Sequence, residues 1–255
     1  MYHQVLNPSE REAAGRKTNP AYILSQDRFR EQLECIAANG YSPLTLDEVL
    51  NGADELGKGV VITFDDGWLD NYTNVLPLLR QFGFKATVFV VSDFIGQPGY
   101  LTWDQLREMQ LSGIAIHSHT ASHRPLAELD ESEITHELLS SKKSLEEGLK
   151  TAVNFISMPQ GSFNQKVLNI ARQVGYRAVC TSVPGFSHTR SPLPLFKRIN
   201  VAEEYDSQMF SRIIQQDRMW LMPVIFAKKI KSGIRRIIGY DTYRRLYRLR
   251  YMIKG

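Results

Sequence analysis

Short apolar or β-branched runs recur along the chain up to residue 201. They are separated by longer segments in which apolar residues repeat every three or four positions. The first pattern is typical of buried strands, and the second is typical of amphipathic helices. We therefore predict strands at 2–6, 60–64, 85–91, 113–116, 153–158, 178–182 and 196–201.

The helical segments between these strands have recognisable ends. Ser25 is a typical N-cap, and Asn39 with Gly40 is a typical end signal. Strands that alternate with helices favour a parallel α/β fold. The polar stretch 7–20 is predicted to be a loop. After the helix that Ser25 begins, further helices are predicted at 45–50, 71–82, 101–112, 132–149 and 164–174.

The net charge of +4 is distributed unevenly. Residues 227–255 contain ten Lys or Arg and one acid, so the remainder of the chain carries a net charge of −5. Isoleucine, leucine and tyrosine are interleaved with these cations, which predicts a basic amphipathic helical segment. Such a segment packs on the fold with a solvated basic face, lies on an anionic membrane or, least favoured here, contacts nucleic acid.

The two cysteines, Cys35 and Cys180, lie in apolar segments and are not spaced for a metal cluster. We interpret them as buried free thiols in a reducing compartment. The first residues are too polar for a secretory signal, and no apolar run has the length of about 18 residues that a membrane-spanning helix needs. The expected location is the cytoplasm, with membrane association through residues 227–255 as an extension of that hypothesis.

The strand at 60–64 ends in two adjacent carboxylates, Asp65 and Asp66, which Gly67 follows. A central parallel strand delivers polar residues to its C-terminal edge, where α/β folds place their sites. Two neighbouring acids repel each other, so their presence indicates a bound cation or a proton transfer. The alternative interpretation is a strand end followed by an Asp-Gly turn.

Three histidines, His117, His119 and His123, follow the strand at 113–116. A spacing of four brings two imidazoles to one ion if that stretch makes a helical turn. One aspartate with two histidines is a usual ligand set for a catalytic Zn²⁺. We interpret His117 either as a residue behind the ligands or as a substitute ligand.

Two motifs resemble those of the polysaccharide deacetylases, the fourth family of carbohydrate esterases. The first is the segment 63–67, which reads Thr-Phe-Asp-Asp-Gly, and the second is the segment 119–123, which reads His-Thr-Ala-Ser-His. The resemblance extends from about residue 2 to residue 201. It implies an α/β fold of the deformed (β/α) barrel type with about seven parallel strands, and metal-dependent removal of N-acetyl groups from amino sugars.

The resemblance also implies roles for individual residues. Asp66, His119 and His123 would hold a divalent metal ion, expected to be Zn²⁺, with Co²⁺, Ni²⁺ or Mn²⁺ as alternatives. Asp65 would be the general base. This assignment agrees with general chemistry, because a bound cation acidifies its water and a nearby carboxylate can take the proton.

The third family motif, of the type Arg-x-Pro-Tyr-Gly, is altered at residues 157–161. Pro159 and Gly161 match it, whereas the arginine and the tyrosine are absent. Gln160 occupies the tyrosine position and can still donate its backbone N–H to an oxyanion. Arg198 is the candidate to replace the arginine that orients the base, and an exposed arginine at a strand end is the alternative.

The C-terminal histidine that acts as general acid in the family is absent, because no histidine follows residue 201. His3 is the favoured substitute, since some relatives resemble circularly permuted variants with a Tyr-His on an N-terminal strand. His188, in a loop rich in Pro, Gly and Ser, is the second candidate. Trp68 follows the Asp-Asp-Gly turn and is expected to form a wall of a sugar-binding groove.

We therefore expect a catalytic barrel at residues 1–205 and a basic amphipathic helical tail at residues 206–255. The predicted activity is hydrolysis of the amide bond of N-acetylated amino sugars in a polysaccharide or glycoconjugate. The alternatives are hydrolysis of a non-sugar amide or an O-acetyl ester, and a catalytically inactive carbohydrate-binding barrel. The expected partners are the saccharide and, through residues 227–255, a membrane surface; nucleic acid is not expected.

Overall fold

The computed structural model describes residues 1–14, 22–52, 57–185, 187, 191, 193–219, 221–223, 225–226 and 230. His188 and almost all of the basic segment 227–255 lie outside these residues. None of the described helices is long and apolar enough to cross a membrane.

Strands and helices alternate along the described chain. The strands are β1 Gln4–Leu6, β2 Ile23–Ser25, β3 Ser42–Pro43, β4 Gly59–Val60, β5 Thr63–Phe64, β6 Ala86–Val90, β7 Ile114–Ser118, β8 Phe155–Ser157, β9 Ala178–Thr181 and β10 Leu195–Lys197. The α-helices are α1 Pro8–Ala14, α2 Gln26–Ala38, α3 Leu46–Leu50, α4 Leu76–Phe82, α5 Trp103–Leu111, α6 Glu131–Leu149, α7 Gln165–Val174 and α8 Ser207–Ile214, and a π-helical segment, Asn71–Val75, precedes α4.

Six parallel strands form the main sheet in the order β10-β9-β8-β7-β6-β5. Neighbouring strands in this sheet follow one another in sequence, so the carboxyl ends of all six lie at one edge. Two smaller parallel pairs, β1 with β2 and β3 with β4, flank the sheet. This arrangement confirms the predicted parallel α/β fold.

Residues 1 and 2 join the two ends of the main sheet. The Tyr2 N–H donates to the Thr63 carbonyl at 2.8 Å, and the Tyr2 carbonyl accepts the Asp65 N–H at 3.0 Å. Met1 exchanges two backbone hydrogen bonds of 3.0 Å with the segment 199–201. The N-terminal segment therefore lies between β5 and the chain that follows β10, and it closes the curled sheet into a barrel.

Polar caps begin the helices at the positions that the sequence favours. The Ser25 hydroxyl accepts the Arg28 N–H at 3.2 Å at the start of α2, which confirms the predicted cap. Thr102 and Asp130 begin α5 and α6 with reciprocal capping boxes. Each cap satisfies backbone donors that the helix itself cannot pair, so the helices begin at defined residues.

The two faces of the sheet bury different sets of side chains. The large core lies between the sheet and the surrounding helices. A smaller apolar cluster fills the barrel interior, because side chains on one face of neighbouring strands meet there. The members of this smaller cluster are Leu46, Phe89, Phe155, Ala178, Cys180 and Phe196.

Two features differ from the sequence-based expectations. The segment 7–20 was expected to be a loop, but Pro8–Ala14 forms α1. Asn7 caps this helix, since its side-chain oxygen accepts the Glu10 N–H at 3.0 Å and Glu10 accepts the Asn7 N–H at 3.0 Å. The strand at 60–64 is divided into β4 and β5, and β5 lies at the end of the six-stranded sheet rather than in its centre.

The first part of the expected tail packs against the barrel. Helix α8 lies on α2, and its Phe210 and Ile214 are buried. Leu221 is buried as well. The division at residue 205 between barrel and tail stays a prediction, and the remainder of the basic segment lies outside the described residues.

Candidate active site

A tight turn at the end of β5 separates the two acids. Asp66 and Gly67 both have positive φ angles, 76° and 77°. A side chain at Gly67 would come within 2.6 Å of a methyl group of Val90 on the neighbouring strand, so the turn needs glycine there. The left-handed conformation of Asp66 is uncommon for a residue other than glycine, and it turns the second carboxylate away from the direction of the strand.

Asp66, His119 and His123 meet in one cluster. The Nε2 atoms of the two histidines lie 3.3 and 3.4 Å from Oδ1 of Asp66, and one ligand atom from each of the three residues lies within 4.8 Å of the others. His119 follows β7 directly and His123 lies four residues later, in a turn in which Thr120 and His123 both have positive φ. The fold thus brings together the three residues that the sequence suggested as metal ligands.

The contacts around the cluster fix the orientation of its members. Nδ1 of His119 lies 2.9 Å from the carbonyl oxygen of Ser157, which leaves Nε2 directed at Asp66. The indole N–H of Trp68 donates to Oδ2 of Asp66 at 3.0 Å, which leaves Oδ1 directed at the histidines. Such outer contacts orient ligands at metal sites in general.

The donor set fits a divalent transition-metal ion. Oδ1 of Asp66 is buried and has no hydrogen-bond partner among the described residues, although two imidazole nitrogens face it. Burial raises the pKa of Asp66, but the neighbouring imidazoles of His119 and His123 outweigh it and hold that pKa well below its usual range. An ionised carboxylate with two imidazoles is a ligand set that Zn²⁺ and similar ions prefer.

Asp65 forms a buried, two-pronged ion pair with Arg198. The two guanidinium nitrogens of Arg198 lie 2.7 and 2.8 Å from the two carboxylate oxygens, and the exposed fractions of the side chains are 7% and 4%. Burial raises the pKa of Asp65, but the charge of Arg198 and then that of His119 outweigh it and lower the pKa to about 2. Asp65 is therefore ionised at neutral pH and held in one orientation.

Ser157 links Asp65 to His119 of the cluster. Its hydroxyl donates to Oδ2 of Asp65 at 3.0 Å and accepts from Arg198 at 2.7 Å, while its carbonyl faces His119. Ser157 stands where the family motif has arginine, and Arg198 supplies a guanidinium from the residue after β10. Sequence reasoning proposed Arg198 but missed Ser157, although the substitution at a motif position was a signal.

Arg198 is held by further contacts of its own. Its Nε donates to the Thr181 carbonyl at 3.2 Å, and Nη1 donates to the Thr63 hydroxyl at 3.3 Å. The guanidinium carbon lies 5.3 Å from the ring centroid of Phe89. The alternative interpretation of Arg198 as an exposed residue at a strand end is therefore wrong.

Glu137 on α6 supports the loop that carries His123. One carboxylate oxygen of Glu137 accepts the N–H groups of Ala121 and Ser122 at 3.1 and 2.9 Å, and the other accepts the Ser122 hydroxyl. The N–H of His123 donates to the Thr120 hydroxyl at 3.1 Å. Sequence reasoning missed Glu137 because nothing in the local pattern of a helix shows which loop its buried acid will meet.

His3 lies on the same side of the barrel as the acids. Its half-buried imidazole interacts electrostatically with Asp66, Asp65 and His119, and its ring centroid lies 4.3 Å from that of Tyr22. Burial lowers the pKa of His3, and the two carboxylates oppose this shift. The neutral imidazole is therefore favoured in the ligand-free site.

Trp68 and the altered third motif follow β5 and β8, at the carboxyl edge of the sheet. Trp68 stacks on Tyr100 with ring centroids 4.5 Å apart. Pro159 is buried, and Gln160 has a positive φ of 57° in the short 3₁₀ turn that follows β8. The expected roles of Trp68 as a groove wall and of the Gln160 N–H as an oxyanion donor stay predictions.

His117 does not join the cluster. Its Nε2 lies 3.4 Å from a carboxylate oxygen of Asp47, and its ring packs edge-on against Phe155 with centroids 4.7 Å apart. Its side chain lies in the barrel interior, so His117 is not a substitute ligand in the cluster. His188, the second candidate for the acid, lies outside the described residues.

Comparison with known proteins decides the family. Residues 52–179 match the family model of polysaccharide deacetylases. The chain belongs to the polysaccharide deacetylase family. This confirms the resemblance that the two motifs indicated.

Two relatives in the family match different shares of the chain. Polysaccharide deacetylase YxkH of Bacillus subtilis is 32% identical over 191 residues, which are 73% of this chain and 68% of that protein. The peptidoglycan-N-acetylglucosamine deacetylase of Bacillus cereus is 33% identical over 126 residues, which are 49% of this chain and 57% of that protein. The chain thus spans little more than half the length of the second relative.

A solved structure shares the same fold. The deacetylase PplD of Streptococcus pyogenes, in complex with acetate, superposes with a TM-score of 0.76 and 27% sequence identity. The superposition covers 84% of this chain and 96% of that chain. It confirms the deformed (β/α) barrel that was expected from the sequence.

Proposed function

We propose that this member of the family is a metal-dependent hydrolase that removes N-acetyl groups from amino sugars of a polysaccharide or glycoconjugate. The observation that carries the proposal is the pairing of Asp65 with Arg198 beside the cluster of Asp66, His119 and His123. The first acid is ionised and oriented for proton transfer, and the second belongs to a metal-ligand set. The name of the Bacillus cereus relative supports N-acetylglucosamine units as the substrate class.

The residues of the chain divide the chemistry among them. A divalent ion held by Asp66, His119 and His123 would acidify a water molecule and polarise the acetamide carbonyl. Asp65 takes a proton from the attacking water, while Arg198 and Ser157 keep its carboxylate in place. General bases of this kind act over hydrogen-bond distances, so the fixed orientation matters.

The remaining steps concern the oxyanion and the leaving group. The backbone N–H of Gln160 would donate to the oxyanion that develops on the acetyl group. The proton that Asp65 has taken then becomes available to His3, which passes it to the nitrogen of the departing amino sugar. Protonation of that nitrogen is needed because an amide anion is a poor leaving group.

Substitution of Asp65 by Asn tests this assignment. Acetate release from N-acetylglucosamine oligomers should fall to background, while the metal content of the purified protein stays that of the parent. Asp104→Asn is a suitable control, because Asp104 is 95% exposed on α5. Full activity in Asp65→Asn would contradict the role of Asp65 as base.

The same assay separates the competing functions. Acetate release from O-acetylated xylan, but not from the N-acetylated oligomers, would indicate an ester substrate. Binding of the oligomers without acetate release from either substrate would indicate an inactive carbohydrate-binding barrel. The serine at the arginine position of the third motif is the feature that favours this last possibility, and the contact of Ser157 with Arg198 argues against it.

We further propose that the C-terminal segment contacts an anionic membrane. The chain that follows α8 exposes an apolar stripe with helical spacing, and the ten basic residues of 227–255 overlap and follow it. Fractionation of cells that express the chain with and without residues 227–255 tests this proposal, and an unchanged distribution would contradict it. Location in the cytoplasm stays a prediction. The residues of the exposed stripe are Met219, Met222, Phe226 and Ile230.

A further inference from the structure

Three buried polar side chains that follow the first motif contact the N-terminal segment that carries His3. Asp70, Asn71 and Asn74 are all at most 6% exposed, although a helix surface next to a core normally presents apolar residues there. They lie at the start of the helical segment after the Asp-Asp-Gly turn, in and beside the π-helical residues 71–75. Single π-helical turns within helices occur frequently at functional sites.

Each of these side chains pairs with a backbone group of the N-terminal segment. The amide of Asn71 donates to the carbonyl of His3 at 3.0 Å. The N–H of Val5 donates to Oδ2 of Asp70 at 2.7 Å, and the amide of Asn74 donates to the Val5 carbonyl at 2.8 Å. Side chains of a helix thus provide the hydrogen bonds that a neighbouring strand would otherwise provide.

Two of these residues also contact each other, and the third contacts α1. The amide of Asn71 donates to Oδ2 of Asp70 at 3.1 Å, and the amide of Asn74 donates to Glu10 on α1. The Asp70 oxygen therefore accepts from the main chain of Val5 and from Asn71 at once. Breaking one of these buried bonds would leave a polar partner unsatisfied, so they restrain the N-terminal segment.

The N-terminal segment and the first motif are consequently joined on both sides of His3. The residue before it, Tyr2, exchanges backbone hydrogen bonds with Thr63 and Asp65. The residue itself is tied to Asn71 by its carbonyl. Asp65 and His3 therefore lie on two segments that are held in register by backbone bonds from Thr63 and Asp65 and by the side chains of residues 70–74.

We propose that Asn71 is a positioning residue, which fixes the backbone of His3 so that its imidazole faces Asp65 and Asp66. The proposal rests on the proposed function, in which His3 delivers a proton to the leaving group. Asp70 and Asn74 also restrain this segment, because they bond the backbone of Val5, two residues after His3. None of the three touches the reacting atoms, so their effect reaches the chemistry only through His3.

Geometry sets the size of the expected effect. A misplacement of a catalytic group by 1 Å can cost about 100-fold in rate. General acid catalysis as a whole contributes about 100- to 10,000-fold. We therefore expect Asn71→Ala to lower kcat by about 10- to 100-fold, and His3→Ala to lower it at least as much.

A double-mutant cycle on kcat tests the proposal. The parent, Asn71→Ala, His3→Ala and the double variant are assayed for acetate release from N-acetylglucosamine oligomers, and KM, metal content and the unfolding midpoint are measured for each. Asn71→Ala should lower kcat with KM and metal content close to those of the parent. In the His3→Ala background the same substitution should change kcat by less than about twofold, because interacting residues are not additive.

Asn154→Ala is the matched control. Its amide donates to Asp47 at 3.0 Å, away from the N-terminal segment and from the metal cluster, so kcat should stay at the parent level. An equal loss of kcat from Asn71→Ala in both backgrounds would overturn the proposal, since it would show a general structural effect.

The acid role of His3 and the positioning role of Asn71 are tested by different results. Parent-level kcat in His3→Ala would overturn the acid assignment together with this proposal. A loss in His3→Ala combined with parent-level kcat in Asn71→Ala would overturn the positioning role alone and leave the proposed function standing.

Discussion

Replacing Arg198 with glutamine would leave the Asp65 carboxylate buried without its counter-ion. The guanidinium makes two hydrogen bonds to that carboxylate, at 2.7 and 2.8 Å, and a third to Ser157. Glutamine can replace at most part of this contact, because it presents one NH₂ group and no charge. The base would then lose both its fixed orientation and the charge that keeps it ionised.

The magnitude follows from the burial of the pair. Hydrogen bonds to charged groups contribute about 1.5–3 kcal/mol each, and breaking a buried ion pair on one side costs about 3–5 kcal/mol. Both side chains of the Asp65–Arg198 pair are at most 7% exposed, so the cost given for a buried ion pair applies. Since domains of this kind are stable by about 5–15 kcal/mol, the variant should remain folded but be clearly destabilised.

Urea unfolding of the parent and four variants measures this effect. We expect Arg198→Gln to lose about 3–5 kcal/mol, and the double variant with Asp65→Asn to lose less than the sum of the two single variants, because the stranded charges are removed together. Arg177→Gln is the matched control: Arg177 and Asp47 form an exposed pair at 3.9 Å, which should be worth at most about 1 kcal/mol.

Two results would refute the reasoning. A loss in Arg198→Gln no larger than that in Arg177→Gln would show that the contact with Asp65 does not stabilise the fold. Additive losses in the double variant would show that the two residues do not interact energetically, which would also remove Arg198 as the residue that orients the base.

Two further predictions concern Asp70 and Trp68. Burial raises the pKa of Asp70 to about 7, so the folded protein keeps a proton there that the unfolded chain loses near pH 4, and stability should fall by at most about 4 kcal/mol as the pH rises through this window. Asp70→Asn should flatten the pH–stability profile between about pH 4 and pH 7. An unchanged slope would contradict the raised pKa of Asp70. Trp68→Phe removes the indole N–H that donates a hydrogen bond to Asp66. Metal affinity measured by competition with a chelator should therefore fall by about 10- to 100-fold. Parent-level affinity would show that the indole does not orient Asp66.

The periodic elements were predictable because their signals are local. Ser25 was predicted as a cap and caps α2, and the helix predicted at 164–174 is α7, which Asn164 caps. The missed helix α1 also had a local signal, since Asn7 is followed three residues later by Glu10 in a capping arrangement. The polar composition of the segment 7–20 favoured a loop instead.

The contacts around the acids were harder to predict because they join distant parts of the chain. Arg198 lies 133 residues from Asp65, and Ser157 lies 92 residues from it. Their meeting depends on the register of β8, β9 and β10, which no local pattern encodes. The motif positions identified the cluster of Asp66 with the two histidines, whereas the supporting groups became visible only in the folded barrel.

The apolar filling of the barrel interior has a practical consequence for the study of this protein. Cys180 is fully buried there, and burial raises the pKa of its thiol to about 12, whereas Cys35 on α2 is only partly buried. A thiol reagent should therefore modify Cys35 in the native protein and reach Cys180 only when the barrel opens. The ratio of the two modification rates would report on the opening of the barrel without any engineered label.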